Sequence, residues 1–427
     1  MKSINSSILA VALFSTVLGS IHLAVAEDLN GARGKIFKVN LAEQRFELLK
    51  ETVLDPQTNE GKSRHTVGWT DQTRFIKAVA HDDFTGVQGP VVTRFQLPNA
   101  KQAEAAAQGK PFTVLQVDVL THKKSPTGMA DDRSHLVAWF TPGTDPKQAR
   151  SGTVEIDGKP VKVSLLPRKS EIHVLTSTTA DELGEGFWEA TLHGKQTSGS
   201  FVLDRAVIYP LPDPRVLDDP KLPRVLVVGD SISMNYHEAA KSALAGKANY
   251  YRVEGNGGPS DRGVSAMELW LGDYTQQGLH WDVIQFNHGL HDLKQAYDAK
   301  TDSWGDHQVS LEDYKMNLEK EIAIMRKTGA TLIWCTTTPV PNNSRGPYAR
   351  RKGEAAVFNK AAMEVINKHP DIFINDLHKT ITESKAMDEW RKGSDVHFWS
   401  SELQAVLGNA VADAVTRALE ARAADEN

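Results

Sequence analysis

Hydrophobic positions change their rhythm along the chain at about residue 209. Upstream, from Gly31 to Ile208, apolar residues alternate with polar ones or gather in short β-branched and aromatic runs. Phe112–Leu120 (FTVLQVDVL), His135–Phe140 and Gly199–Tyr209 are the clearest of these. Such runs predict strands. Asp157-Gly158 stands between two alternating runs across Thr153–Val163, which predicts a tight hairpin, because both turn positions of that loop need positive φ. One helix is expected here, over Asn99–Gln108. The upstream half, residues 27–208, therefore reads as one or two small β modules of barrel or sandwich type, with a possible division near residue 125.

Downstream, strand-like and helix-like segments alternate. Val225–Val228 is a wholly apolar run, as expected of a strand buried on both faces. A helical stretch follows over Asn235–Leu244, then a strand near Tyr250–Val253 and a helix around Val264–Leu271. Val283–Phe286, Thr331–Cys335 and Phe373–Asn375 are further strands. Leu311, Tyr314, Leu318, Ile322 and Met325 recur at helical spacing behind a Ser310/Asp313 capping signal. Gly353–Lys368 is another helix, and Leu403, Leu407, Ala410, Ala414 and Ala418 stripe the last one. Alternation of this kind predicts a parallel sheet between helices, over residues 223–424. Between the halves, Tyr209–Pro223 holds five prolines in fifteen residues and is expected to be a stiff connector without regular structure.

Composition adds the compartment. Met1-Lys2, the apolar Ile8–Leu18 and the small-x-small Ala24-Val25-Ala26 form a secretory signal over residues 1–26, with cleavage expected before Glu27. Periplasmic or secreted bacterial localisation follows, with no membrane span after cleavage. The single cysteine, Cys335, lies in an apolar run and excludes an internal disulfide. A net charge of -5 argues against a nucleic-acid partner. Histidines of the upstream half (His65, His81, His122, His135, His173 and His193) are scattered without ligand spacing, so no metal site is expected there.

The expected ends of the downstream strands carry the chemistry. Val225–Val228 stops at Gly229-Asp230-Ser231, which delivers a hydroxyl at a carboxyl end, where open α/β sheets place their ligands. Val283–Phe286 is followed by Asn287-His288-Gly289-Leu290-His291-Asp292. Gly393-Ser394-Asp395-Val396-His397-Phe398 precedes the last helix. A serine nucleophile requires a base, usually a histidine oriented by a carboxylate. His397 and Asp395 supply both types, in an order Ser, Asp, His that α/β hydrolases use. Taken singly, Ser231 has a helix cap as its lesser alternative, and His397 is more often an ordinary surface or core histidine than a base.

At these residues, over roughly Leu222–Ala421, the chain resembles the SGNH (GDSL-like) hydrolase family. The resemblance implies a flavodoxin-like three-layer α/β/α sandwich with Ser231 as nucleophile and His397 as base. The third motif block, Gly-x-Asn-Asp in the family, reads Gly289-Leu290-His291-Asp292, so His291 stands where the oxyanion-hole asparagine is expected, with Asn287 as the alternative donor. The family's acid position, three before the histidine, is held by Ser394, and Asp395 lies two before it. In the second block, Asn256–Asp261, the Gly258 N–H is the expected donor, joined by that of Ser231; strict spacing points instead at Asp261.

The expected activity is that of an exported serine carboxylic-ester hydrolase that removes acyl groups, acetyl above all, from a carbohydrate or polysaccharide, without metal or organic cofactor. A lipid or thioester hydrolase of the same family is the nearest rival, and a non-catalytic binder of glycans or envelope components the other. Arg345, Arg350, Arg351 and Lys352 offer cations to an anionic substrate. Tyr236, Trp304 and Trp399 offer aromatic faces to a sugar.

Overall fold

The computed structural model describes residues 29–52, 62–85, 87–120, 128–143, 149–166, 171–197, 200–276, 278–341, 349–384 and 395–425. The signal segment and Arg345 lie outside them. Among the described residues no helix is long and apolar enough to cross a membrane. The molecule is a mixed α/β protein whose N-terminal part is β-rich and whose C-terminal part carries a parallel sheet.

Strand pairing closes the N-terminal part into two rings. Arg33–Asn40, Arg45–Leu49 and Arg64–Gly68 pair in succession, and Phe201–Leu211 and Phe187–Gln196 close the circle back to Arg33–Asn40. Phe46, Leu48, Trp69, Trp188 and Phe201 fill it. The second ring explains why the long Phe112–Leu120 run is not one strand. The chain bends at Leu115: Phe112–Val114 pairs with Lys159–Leu165, and Gln116–Leu120 pairs with Val91–Gln96. Ser151–Ile156 and His135–Pro142 complete the circuit around Phe95, Phe112 and Phe140. The second core is thus inserted in sequence within the first, instead of following it after a boundary near residue 125. Asp157 and Gly158 adopt φ of 49° and 71° in the expected hairpin.

The Tyr209–Pro223 segment corrects the expectation of an irregular connector. Tyr209–Leu211 continue a strand paired with Phe187–Glu189, and Pro214–Leu217 forms a helical turn capped by Asp213. Pro210 removes no ladder bond, because pairing on the other side of that strand ends at Ile208.

Five parallel strands build the C-terminal sheet: β1 (Arg224–Val228), β2 (Asn249–Arg252), β3 (Val283–Phe286), β4 (Thr331–Cys335) and β5 (Phe373–Asn375), in the order β2-β1-β3-β4-β5. This is the flavodoxin-like order. The helices are α1 (Ser231–Ala243), α2 (Ser260–Leu271), α3 (Leu311–Arg326), α4 (Glu354–Ile366), α5 (Leu377–Glu383) and α6 (Ser401–Asp425). α1 packs on α6, whereas α2, α3 and α4 pack in sequence. β1 and β3 are buried at every position, Arg224 and Gln285 included, which is why both are mostly apolar and Val225–Val228 reads as an unbroken apolar run. The hairpin Gln295–Asp298/Ser303–His307 and the helix α5 had no clear periodic signal and were not anticipated.

The α1–α6 contact holds the last motif against the first. A Cβ at Gly408 would lie 2.6 Å from that of Ala239 and 2.7 Å from the Ala240 nitrogen, so only hydrogen allows the helices this approach. Gly408→Ala should therefore cost about 1–3 kcal/mol through overpacking. Calorimetry should show a Tm lowered by several degrees, and an unchanged Tm would contradict the close packing.

Candidate active site

The chain turns out of β1 through Gly229, and α1 begins at Ser231. Asp230, not Ser231, is the helix cap: its Oδ1 accepts the Ile232 N–H at 2.8 Å. This leaves the serine hydroxyl for other use. The turn is pressed against the loop after β2, where the Gly257 N–H donates to the Gly229 carbonyl at 3.0 Å. A Cβ on Gly257 would stand 2.8 Å from that same oxygen, so the two backbones meet only through glycine.

His397 reaches this turn from the segment before α6. Its Nε2 lies 2.8 Å from Ser231 Oγ, and its Nδ1 lies 2.7 Å from Asp395 Oδ1. A carboxylate accepts, so Nδ1 carries the proton and the Nε2 lone pair faces the hydroxyl. That is the arrangement a general base needs. Asp395 is itself held: Oδ1 also accepts the His397 N–H at 3.0 Å, and Oδ2 accepts Trp399 Nε1 at 2.9 Å. Burial works to raise its pKa, but the bonds from the His397 backbone, Trp399 and the His397 ring outweigh it and hold the carboxyl below its ordinary value. Two residues' spacing therefore suffices to bring the acid onto the ring. The segment is anchored by Phe398, fully buried, whose N–H donates to Asn235 Oδ1 on α1 at 3.1 Å.

Not every expected oxyanion donor is placed to act. The Gly258 N–H donates to Asn256 Oδ1 at 2.9 Å, so its hydrogen is already engaged. Asn287 turns its amide into the sheet edge, where Nδ2 donates to the Cys335 carbonyl at 2.6 Å; buried carbonyls at strand ends need such partners. His291 differs. Lys294 Nζ donates to its Nδ1 at 2.9 Å, and an ammonium offers no lone pair, so the proton of a neutral ring must sit on Nε2. Burial, then the charges of Lys294 and Arg350, push the His291 pKa down to about 3, which keeps the ring neutral. The Ser231 N–H, at the first position of α1, has no acceptor within the helix. Asp261 lies in the first turn of α2.

The remaining candidates separate. Tyr236 is buried and takes a 3.4 Å bond from Gln285 Nε2, so it belongs to the core and not to a substrate face. Arg350 donates Nε to the Leu290 carbonyl at 2.8 Å and so steadies the His291 turn. Arg351 and Lys352 are exposed, Trp304 packs on Tyr297 in the hairpin, and Cys335 is a core residue.

Sequence reading missed a buried ionisable cluster beneath the second and third loops. His288 Nδ1 donates to the Gly258 carbonyl at 3.0 Å, while its Nε2 lies 3.4 Å from Glu321 Oε1 without a hydrogen bond between them. Asp292 Oδ1 accepts the Ser260 N–H at 2.9 Å, and Asn317 Nδ2 donates to Ser260 Oγ at 3.0 Å. His288, Asp292 and Glu321 are all fully buried. The available signal was Asn317 and Glu321, polar residues on the apolar face of α3.

No protein-family model matches the chain, and no curated protein matches it. Solved structures similar to it include the lipase/acylhydrolase from Enterococcus faecalis, at 16% identity and a TM-score of 0.34, covering 45% of this chain and 94% of that one. The acetyl xylan esterase AlAXEase is 13% identical, with a TM-score of 0.36 over 45% of this chain and 99% of that one. The psychrotrophic esterase EstA from Pseudoalteromonas sp. is 12% identical, with a TM-score of 0.34 over 46% of this chain and 98% of that one.

The buried cluster has a consequence for stability. Burial, reinforced by Asp292 and opposed by His288, pushes Glu321 from 4.5 up to about 8. The folded chain thus keeps a proton that the unfolded chain releases near 4.5, and stability falls as pH rises through that window. His288 acts in the same direction, because Glu321 and Asp292 outweigh burial and raise it. Tm should decline between about pH 5 and about pH 8, and Glu321→Gln should flatten the decline. An equal slope in the variant would place the titration elsewhere.

Proposed function

We propose that the protein is an exported serine carboxylic-ester hydrolase of the SGNH type that deacylates a carbohydrate. One observation carries the reading: the hydrogen-bonded series Ser231 Oγ, His397 and Asp395, at 2.8 Å and 2.7 Å. Ser231 Oγ attacks the ester carbonyl while His397 Nε2 takes its proton, and Asp395 stabilises the imidazolium that forms. The Ser231 N–H and the His291 Nε2–H are assigned as donors to the oxyanion. His397 then protonates the leaving alkoxide, which departs as the sugar hydroxyl. Water, deprotonated by the same histidine, cleaves the acyl-enzyme to give the carboxylic acid and restore the serine.

The carbohydrate preference and export rest on the motif resemblance and the signal-like N-terminus, supported by the adjoining β rings. Arg350 would meet an acidic substituent with the guanidinium N–H groups that Leu290 does not use.

A fluorophosphonate probe should label Ser231 and should fail on Ser231→Ala; absence of labelling in folded protein would leave only the binding-module reading. His397→Ala should lower kcat for p-nitrophenyl acetate by about 10⁴-fold or more. Lys294→Met frees the His291 tautomer and should lower kcat by about 10–100-fold with little change in KM. Lys294→Arg should recover part of that loss. If Lys294→Met keeps full activity, His291 is not the oxyanion donor.

A further inference from the structure

We infer that the cleft between the first β ring and the parallel-sheet domain binds an acidic sugar unit, with the Lys35 ammonium as its anion contact. The cleft has a volume of about 470 Å³, within the span of small-molecule sites, and lies where two folding units meet. Lys35 projects into it from the strand Arg33–Asn40. The ammonium is largely buried, yet its single hydrogen bond, to the Leu269 carbonyl, is 3.5 Å long. Among the described residues no carboxylate lies within ion-pair distance of it. Burial lowers the Lys35 pKa against the pull of Glu254 and Glu189. A part-buried ammonium held by one long hydrogen bond keeps N–H donors for a ligand carboxylate or sulfate.

The other walls agree with an acidic sugar. Arg252 borders the cleft, but its guanidinium turns to the Gly255 carbonyl at 2.7 Å and to Ser233 Oγ on α1 at 3.4 Å, which leaves Lys35 as the cation facing the ligand. Glu51, which also lines the cleft, is already paired with Arg262 at 3.2 Å. Glu254 is exposed. Tyr251, Trp270 and Trp281 line the cleft, with the Arg224 guanidinium over the Tyr251 and Trp281 rings and that of Arg262 over Trp270. The cleft floor, Glu254-Gly255, runs directly into Asn256–Gly258, whose Gly257 N–H bonds the turn that carries Ser231. The identification of the ligand as a sugar rests on the carbohydrate-esterase reading; the anion site stands on Lys35 alone.

Isothermal titration of the full chain with three hexasaccharides tests this: oligogalacturonate (carboxylate), a carrageenan fragment (sulfate) and neutral maltohexaose. At least one acidic probe should bind about tenfold or more tighter than the neutral one, and the tighter acidic probe names the anion. Lys35→Gln should weaken that binding about tenfold and leave p-nitrophenyl acetate turnover unchanged, whereas Lys35→Arg should keep the preference. Equal affinity for the neutral probe, no binding of any probe, or full affinity in folded Lys35→Gln would each overturn the proposal. Ser231→Ala should bind as the parent does, so loss of the hydrolase reading would appear in turnover while the binding result stood apart.

Discussion

The parallel pairing of β1 with β3 is the constraint on which the rest of the catalytic half depends. Val225–Val228 and Val283–Phe286 run side by side in register, so both strands end on one rim. The order β2-β1-β3 sends the chain to opposite sides after β1, which opens a crevice at that point. Ser231 leaves one strand end and the His288–Asp292 turn leaves the other. Parallel strands buried on both faces cannot slip by one residue without exposing apolar side chains. The separation of Ser231 from the His288–Asp292 turn is therefore set by the core.

A second layer of constraint lies under that rim. The loops meet backbone to backbone, which removes side chains from the contact and leaves polar groups to be satisfied from below. His288 reaches the Gly258 carbonyl, its own carbonyl accepts bonds from Tyr314 at 2.9 Å and Thr337 at 3.0 Å, and Asp292 takes the Ser260 N–H. Fully buried ionisable groups are expensive unless they share protons and hydrogen bonds. The proton that burial leaves on Glu321 lightens that expense. Space is equally tight: a Cβ at Gly263 would stand 1.9 Å from Glu321 Oε1. Precision at Ser231 is thus obtained by concentrating polar groups where no water competes for them.

The sequence showed the elements that obey one rule and hid those that answer to several. Val283–Phe286, Thr331–Cys335 and Phe373–Asn375 are strands at the very residues the sequence marked; burial on both faces accounts for the first two, whereas the edge strand Phe373–Asn375 leaves Ile374 exposed. The proximity of Ser231, His397 and Asp395 was legible because a hydroxyl after the first strand and an Asp-x-His before the last helix are both placed by the alternating pattern on one rim. Gly258 and Asn287 were misassigned as donors because a sequence does not reveal which partner a hydrogen atom already has. Asn256 and the Cys335 carbonyl claimed theirs. Tyr236 looked available because it follows the nucleophile closely, but helical geometry turns position 236 toward the core. The nesting of the two β rings was invisible because closure depends on pairing across more than a hundred residues, to which local alternation is blind.

The β rings also enter the energetics of the rim. The Thr52 N–H donates to the Ser265 carbonyl at 3.0 Å, and Ser63 Oγ donates to Glu268 Oε2 at 2.6 Å, both on α2. Arg262 spans the junction, with Nη1 on the Asn256 carbonyl at 2.6 Å and Nε on Glu51 at 3.2 Å. Glu51 belongs to the segment after the second strand of the first ring, so the loop that abuts Ser231 is held from the N-terminal half as well as from its own sheet. A charge-assisted bond contributes more than a neutral one and loses most when a single partner is removed. Arg262 without Glu51 would keep its bond to Asn256 but lose the fixed guanidinium plane that aims it. The N-terminal rings are therefore a brace on the loop that abuts Ser231, and their position on α2 gives them a mechanical role.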